Sequence, residues 1–249
     1  MRQPTMASTM QRPLATRARC AAALLAAVLP LAFAQPQPQA TAPGAGASAP
    51  SSAPSEAERL VFMADHLANT RQPRTLKYAY VEEAAGQPRV TDRAVLTLSA
   101  GAGGRCCDVR GDYLSGVLAV NLPEVPDARG NPVLLFFLEG EVRRLQRTTP
   151  GQAAHFRRRI RQAFADTATI GETTISWRGS TVPARLVRIA PFVDDPFRDR
   201  FQEQAATEYA VVLSDAVPGS IYQLRALLPG AAPGAPPRAL RTLTIEDAN

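Results

Sequence analysis

Seven arginines fall between residues 143 and 161: Arg143, Arg144, Arg147, Arg157, Arg158, Arg159 and Arg161. A guanidinium group presents a planar fork of donors that grips two oxygens of a carboxylate or phosphate at once. Carried on the polar sides of two neighbouring helices, these groups would form an anion-binding ridge. Arg143, Arg144, Arg147, Arg157, Arg158 and Arg161 are the candidate ligand-binding set. The competing reading is a solvated face. Glu139 and Arg143 have the favourable i,i+4 order, and Glu141 and Arg144 are three apart; such pairs contribute only ~0.2–0.5 kcal/mol each. Of 28 basic residues 27 are Arg, with Lys77 the single lysine, so finding Arg at any one position says little.

Cys106 and Cys107 are adjacent, and the only other cysteine is Cys20. Three states are open to them: burial as small apolar side chains, a vicinal or intermolecular bridge, or a soft-metal site completed by Asp108, His66 or His155. No CxxC or HxxxH spacing supports the metal site, and no metal is expected. With two histidines the chain is poor in acid–base groups. A protonated His66 would suit the end of the first helix, while His155 stands beside Phe156 among the arginines. Ser115-Gly116 lacks the glycines of a nucleophile elbow. Ser214-Asp215 and Asp194-Asp195-Pro196 read as turns. Phosphate-loop, dinucleotide and zinc motifs are missing, so the expectation is a protein without catalytic activity or cofactor.

The elements that must position these residues follow from periodicity. Asn131-Pro132 is a helix start, with Asn131 as cap and Pro132 at the first helical position, and Leu134, Leu135, Leu138, Val142 and Leu145 form its apolar face. Val133–Leu138 alone would also pass for a buried strand, and Gly140 weakens the helix by ~1 kcal/mol relative to Ala. A second start at Thr149-Pro150-Gly151-Gln152 leads to Phe156, Ile160, Ala163 and Phe164. Ser55-Glu56-Ala57-Glu58 fits a capping box, with Leu60, Met63, Ala64 and Leu67 at helical spacing behind it. Elsewhere the period is two. Leu76–Tyr80 and Ala94–Leu98 flank Gly86-Gln87-Pro88 as a hairpin, and a third extended stretch is placed at Tyr113–Val120. Five more follow at Thr173–Arg178, Pro183–Ile189, Glu208–Leu213, Ile221–Leu228 and Ala239–Ile245. The expected fold is α+β: a bent antiparallel sheet of about eight strands, an inserted helical pair and an N-terminal helix.

Charge and composition set the compartment. The chain of 249 residues carries a net charge of +6, yet four arginines precede residue 20 and no acid precedes Glu56. Cys20–Ala34 is uncharged and mostly apolar, and it ends in Ala32-Phe33-Ala34. Residues 1–34 thus read as a signal peptide cleaved after Ala34. Residues 35–54, rich in Pro and Ala, read as a flexible linker, and 55–249 as one domain. Without its first 34 residues the chain keeps 24 bases and 22 acids. A periplasmic location follows, with no transmembrane segment in the mature chain and no nucleic acid as partner.

The segments Asn131–Glu139, Phe156–Arg161, Tyr209–Ser214, Val217-Pro218-Gly219 and Ile221-Tyr222 resemble an uncharacterised family of exported proteobacterial proteins, over most of residues 57–246. That resemblance implies a helical pair between β-rich halves and brings no activity. In architecture alone the chain is similar to periplasmic lipoprotein carriers, which implies a curved sheet closed by helices. The leading expectation is a non-enzymatic cell-envelope protein that binds a protein partner or an anionic envelope ligand. The alternative is a carrier of lipid or another anionic, hydrophobic ligand in a sheet cavity. A thiol or metal site at Cys106 and Cys107 is the third.

Overall fold

The computed structural model describes residues 53–70, 74–101, 106–121 and 123–248. The stretches expected as signal peptide and linker, with Cys20, lie outside them apart from residues 53 and 54. Eight strands form one antiparallel sheet: β1 (Arg74–Ala84), β2 (Val90–Ala100), β3 (Cys106–Tyr113), β4 (Thr169–Trp177), β5 (Ser180–Ile189), β6 (Glu208–Leu213), β7 (Ile221–Leu228) and β8 (Ala239–Ala248). Their order is β3-β2-β1-β8-β7-β6-β5-β4, an open sheet. Every neighbouring pair is consecutive in sequence except β1 and β8, whose register sets Tyr78 opposite Ile245 and Tyr80 opposite Leu243. Register shifts interrupt the ladders at Lys77/Tyr78, Ser99/Ala100 and Val212/Leu213. Such bulges increase twist and bend the strands that carry them.

The two long helices, α2 (Val133–Thr148) and α3 (Ala153–Asp166), join β3 to β4. Those strands are the opposite edges of the sheet, so the connection has to cross one of its faces. α2 meets β3 and β7, and α3 meets β5. Val133, Leu134, Phe136, Phe137, Val142 and Leu145 turn inward from α2, as do Phe156, Ile160, Ala163 and Phe164 from α3. They meet Tyr78, Tyr80, Leu96, Leu98, Leu224 and Leu243 in one core. Val133–Leu138 is therefore helical, which settles the strand alternative.

Asn131 fixes the start of α2. Its Oδ1 accepts from the Val133 N–H at 3.2 Å, and its Nδ2 donates to the Tyr78 hydroxyl at 2.8 Å and to the Gly219 carbonyl at 2.9 Å. Gly219 has a φ of +76°, and a Cβ there would lie 2.7 Å from Asn131 Nδ2. The turn after β6 thus needs glycine on both counts.

Three local expectations are corrected. The N-terminal helix does not reach Leu67. It has its capping box at Ser55 and Glu58, forms α1 (Glu56–Glu58), continues as a π-turn over Arg59–Met63, and stops at Ala64 in extended geometry. Met63, assigned to the apolar stripe, is 61% exposed. The third strand is earlier than expected. Cys107, Val109 and Tyr113 are its buried positions, alternating with Asp108, Arg110 and Asp112. The chain leaves β3 at Leu114, with φ of 56°, for a 3-10 turn at Gly116–Leu118. Finally, Asn131 sits one position before the cap of α2, which is Pro132.

Cys106 and Cys107 are joined to each other across a cis peptide bond, with Cys107 fully buried. The placement agrees with the vicinal bridge and with burial of Cys107 as a small apolar side chain. Among the described residues no three His, Cys, Asp or Glu side chains converge for a metal ion.

Candidate functional site

The arginines do not line one face. Arg144 sets one Nη 2.7 Å from each oxygen of Glu82 on β1. Arg157 grips Glu139 through Nε and Nη at 2.9 and 2.6 Å, and Arg143 stands 3.5 Å from the same carboxylate. Arg158 donates to Nδ1 of His155 at 3.1 Å. Arg159 lies 3.0 Å from Asp195 Oδ2. Arg147 and Arg161 have no acidic partner among the described residues. The ridge is thus divided: Arg143, Arg144 and Arg147 flank one end of α2, and Arg157 and Arg161 flank a groove between the helices. The hydrogen bond that crosses from α3 to α2, Arg157 to Glu139, holds Glu139 below the usual carboxylate range, assisted by the nearby Arg143.

That groove has an open volume of about 340 Å³ and is lined mainly by apolar side chains. Leu135, Phe136, Leu138 and Val142 come from α2, Ile160 from α3, and Phe62 and Val125 from the flanking segments. Leu135 is 55% exposed, although it belongs to the apolar stripe predicted for α2. Arg157, Arg161 and Glu139 form the polar margin. The volume falls within the ~300–1,000 Å³ typical of small-molecule pockets. The space between helices and sheet, by contrast, is filled with core side chains except for a small cavity beside Tyr80 and Tyr113. A larger cleft of about 780 Å³ lies over β4, β5 and β6, with Glu172, Thr173, Thr174, Arg185 and His66 among its walls. Leu60, Ala64, Pro183, Ala184 and Leu213 stand among these polar groups, so its lining is about half apolar.

A second cluster was missed in the sequence. Glu141 of α2 and Arg241 of β8 form a buried bidentate pair at 2.8 and 2.7 Å. Around it stand Tyr80, Tyr113 and Tyr209. Tyr80 donates to Glu82 at 3.0 Å, and Arg144, 2.7 Å from Glu82 and 3.9 Å from Glu141, joins Glu82, Glu141 and Arg241 in one chain of charges. Burial pushes all three tyrosine hydroxyls above their ordinary range, and the Glu141 charge pushes the same way. The Tyr209 hydroxyl is buried with no hydrogen-bond partner among the described residues. A signal existed: Ala239, Arg241, Leu243 and Ile245 alternate along β8, which places an arginine at a core position.

The histidines are tied into structure. His66 donates from Nε2 to the Leu60 carbonyl at 2.8 Å and accepts at Nδ1 from the Asn131 N–H at 3.2 Å. These bonds require the neutral ring, and burial holds its pKa below 6.5. The protonated His66 expected at a helix end is therefore corrected. His155 donates to Asp195 at 2.8 Å. Asp195 also accepts from the Phe197 N–H at 2.8 Å, so the turn reading of this segment stands. Ser214 donates to the Pro183 carbonyl at 2.6 Å rather than meeting a base.

No helix among the described residues is long and apolar enough to cross a membrane. No protein-family model and no curated protein matches the sequence. Among solved structures, a LolA superfamily protein from Nitrosomonas europaea is similar at a TM-score of 0.22 and 8% identity, over 77% of this chain and 92% of that one, a likeness of general architecture alone.

Proposed function

We propose that this protein binds rather than transforms its ligand, and that the ligand is an amphiphile with an aliphatic tail and an anionic head. The observation that carries this reading is the groove between α2 and α3, an apolar trough whose margin holds Arg161 without an acidic partner among the described residues. The tail would lie against Leu135, Val142 and Ile160, and the head would meet the Arg161 guanidinium. Burying apolar surface supplies ~25 cal/mol per Å², and a charge-assisted contact at the rim gives orientation. The signal-like N-terminus supports a periplasmic setting, where anionic envelope amphiphiles are at hand. A protein partner covering Leu135 is the second reading, supported by the same exposed leucine.

Calorimetric titration with decanoate and with decanol tests this. The expected result is saturable binding of both, tighter for the acid. Leu135→Asp should abolish it, and Arg161→Gln should erase the preference for the acid. Absence of binding, or binding indifferent to Leu135→Asp, overturns the reading. Native mass spectrometry of protein released gently from cells would also report the cleavage site and any retained ligand.

A further inference from the structure

The far end of α2 carries more positive charge than its acids neutralise. Glu82, Glu139 and Glu141 are each engaged by a two-bonded arginine contact, with Arg144, Arg157 and Arg241 respectively. Arg143 has only the 3.5 Å approach to a Glu139 already held by Arg157. Arg147 has no acid among the described residues. Two guanidinium groups one helical turn apart therefore stand in excess on the same side of α2.

They border a small cavity. Arg143, Arg144 and Arg147 form one wall, Tyr80 and Tyr113 the floor, and residues 114–120 the far side, enclosing about 50 Å³. A water needs ~10–15 Å³ by the same measure, so a small oxyanion head fits. The helix leaves that room by carrying Gly140 at this point: a Cβ there would come 3.4 Å from the Tyr113 ring and 3.7 Å from its hydroxyl. Glu141 also lines the cavity, but its charge is answered by Arg241 within the core.

The independent pointer to a ligand is Tyr113. The residue is 3% exposed, its hydroxyl forms no hydrogen bond with another described residue, and unlike the closed-off hydroxyl of Tyr209 it still opens on the cavity. Buried tyrosine hydroxyls normally find a hydrogen-bond partner. Tyr80 does so, by donating to Glu82. Tyr113 instead carries its donor to the cavity that Arg143 and Arg147 border. We infer that this cavity binds a small free oxyanion, a carboxylate or phosphate group, held by Arg143 and Arg147 and by a hydrogen bond from Tyr113. The site uses none of the residues assigned to the amphiphile and stands or falls separately.

The test is titration of the full domain with inorganic phosphate and, separately, with acetate at fixed ionic strength, followed by amide chemical shifts. Saturable shifts confined to residues 113–120 and 140–147 are expected with at least one of the two; which one responds identifies the chemistry. Arg147→Gln, on an exposed side chain, should weaken binding at least tenfold. Tyr113→Phe should weaken it several-fold at unchanged melting temperature. Arg161→Gln should leave it intact. The inference fails if neither anion saturates, or if Arg161→Gln weakens binding as much as Arg147→Gln, which would mark diffuse attraction. It also fails if a folded Tyr113→Phe binds as well as the parent.

Discussion

Glu141 on α2 and Arg241 on β8 meet through two hydrogen bonds, of 2.8 and 2.7 Å, with both side chains closed off from water. Two ions removed from solvent need each other. Their attraction barely offsets the loss of hydration, whereas either ion alone would be stranded. The pair therefore specifies how α2 lies on the sheet more than it stabilises the fold. It fixes the position along α2 from which Arg143, Arg144 and Arg147 project.

Glu141→Leu should accordingly lower unfolding free energy by about 3–5 kcal/mol, the cost of an uncompensated buried charge. Replacing both partners with Met should restore most of that loss. Urea denaturation of the single and double variants checks it; a double variant as weak as the single one would mean that packing, not charge, is at stake.

Stability should fall as pH drops below about 6.5. The folded-state pKa of His66 is depressed from 6.5 by burial, so the unfolded chain binds the proton more readily, and stability rises with pH across the interval between the two values. Above 6.5 both states are neutral there and this contribution is fully present. In His66→Gln the slope near pH 6 should flatten, measured as melting temperature against pH.

Two glycines should respond in opposite directions to alanine. At Gly111 a Cβ would sit 2.5 Å from Phe136 Cε2 and 2.6 Å from Leu96 Cδ2, so Gly111→Ala should cost ~1–3 kcal/mol by overpacking. At Gly140 the nearest atom is 3.4 Å away, and Gly140→Ala should add up to ~1 kcal/mol of helix stability. Since it also fills the cavity beside Tyr113, the second variant should be more stable yet bind oxyanion less well. Thermal melts and the phosphate and acetate titrations report both.

Asn131→Asp keeps the size and removes the donor that serves Tyr78 and Gly219. The loss should reach about 1–3 kcal/mol, since buried acceptors lose their partner. Asn131→Ala should cost a similar amount, and hydrogen exchange should show the first turn of α2 opening first.

Much of this was legible beforehand. Glu208–Leu213 and Ile221–Leu228 were placed to the residue, because period two and flanking turns agreed. Asn131-Pro132 announced α2 through the chemistry of helix starts. The N-terminal helix misled because Met63 has the right spacing, while burial of His66 draws the chain out of the helix at Ala64. β3 was misplaced because Asp108, Arg110 and Asp112 mask an alternation that Cys107, Val109 and Tyr113 carry. The division of the arginines was hidden for a different reason. Their partners Glu82 and Asp195 lie 62 and 36 positions away from Arg144 and Arg159, where no local spacing points.

The pairing of β1 with β8 has a consequence for how the domain is made. Residues 74–84 find half of their hydrogen-bonding neighbours only in residues 239–248, so the middle of the sheet is its last part to be supplied. A chain emerging from its N-terminus first carries a three-stranded and a four-stranded ribbon, each with a raw border, until the final segment arrives to stitch them together. A stop before Ala239 would leave two half-sheets competing for strangers' strands, and the deepest charge, Arg241, would be missing from the core that Glu141 awaits. The domain is sealed from its middle by its own tail.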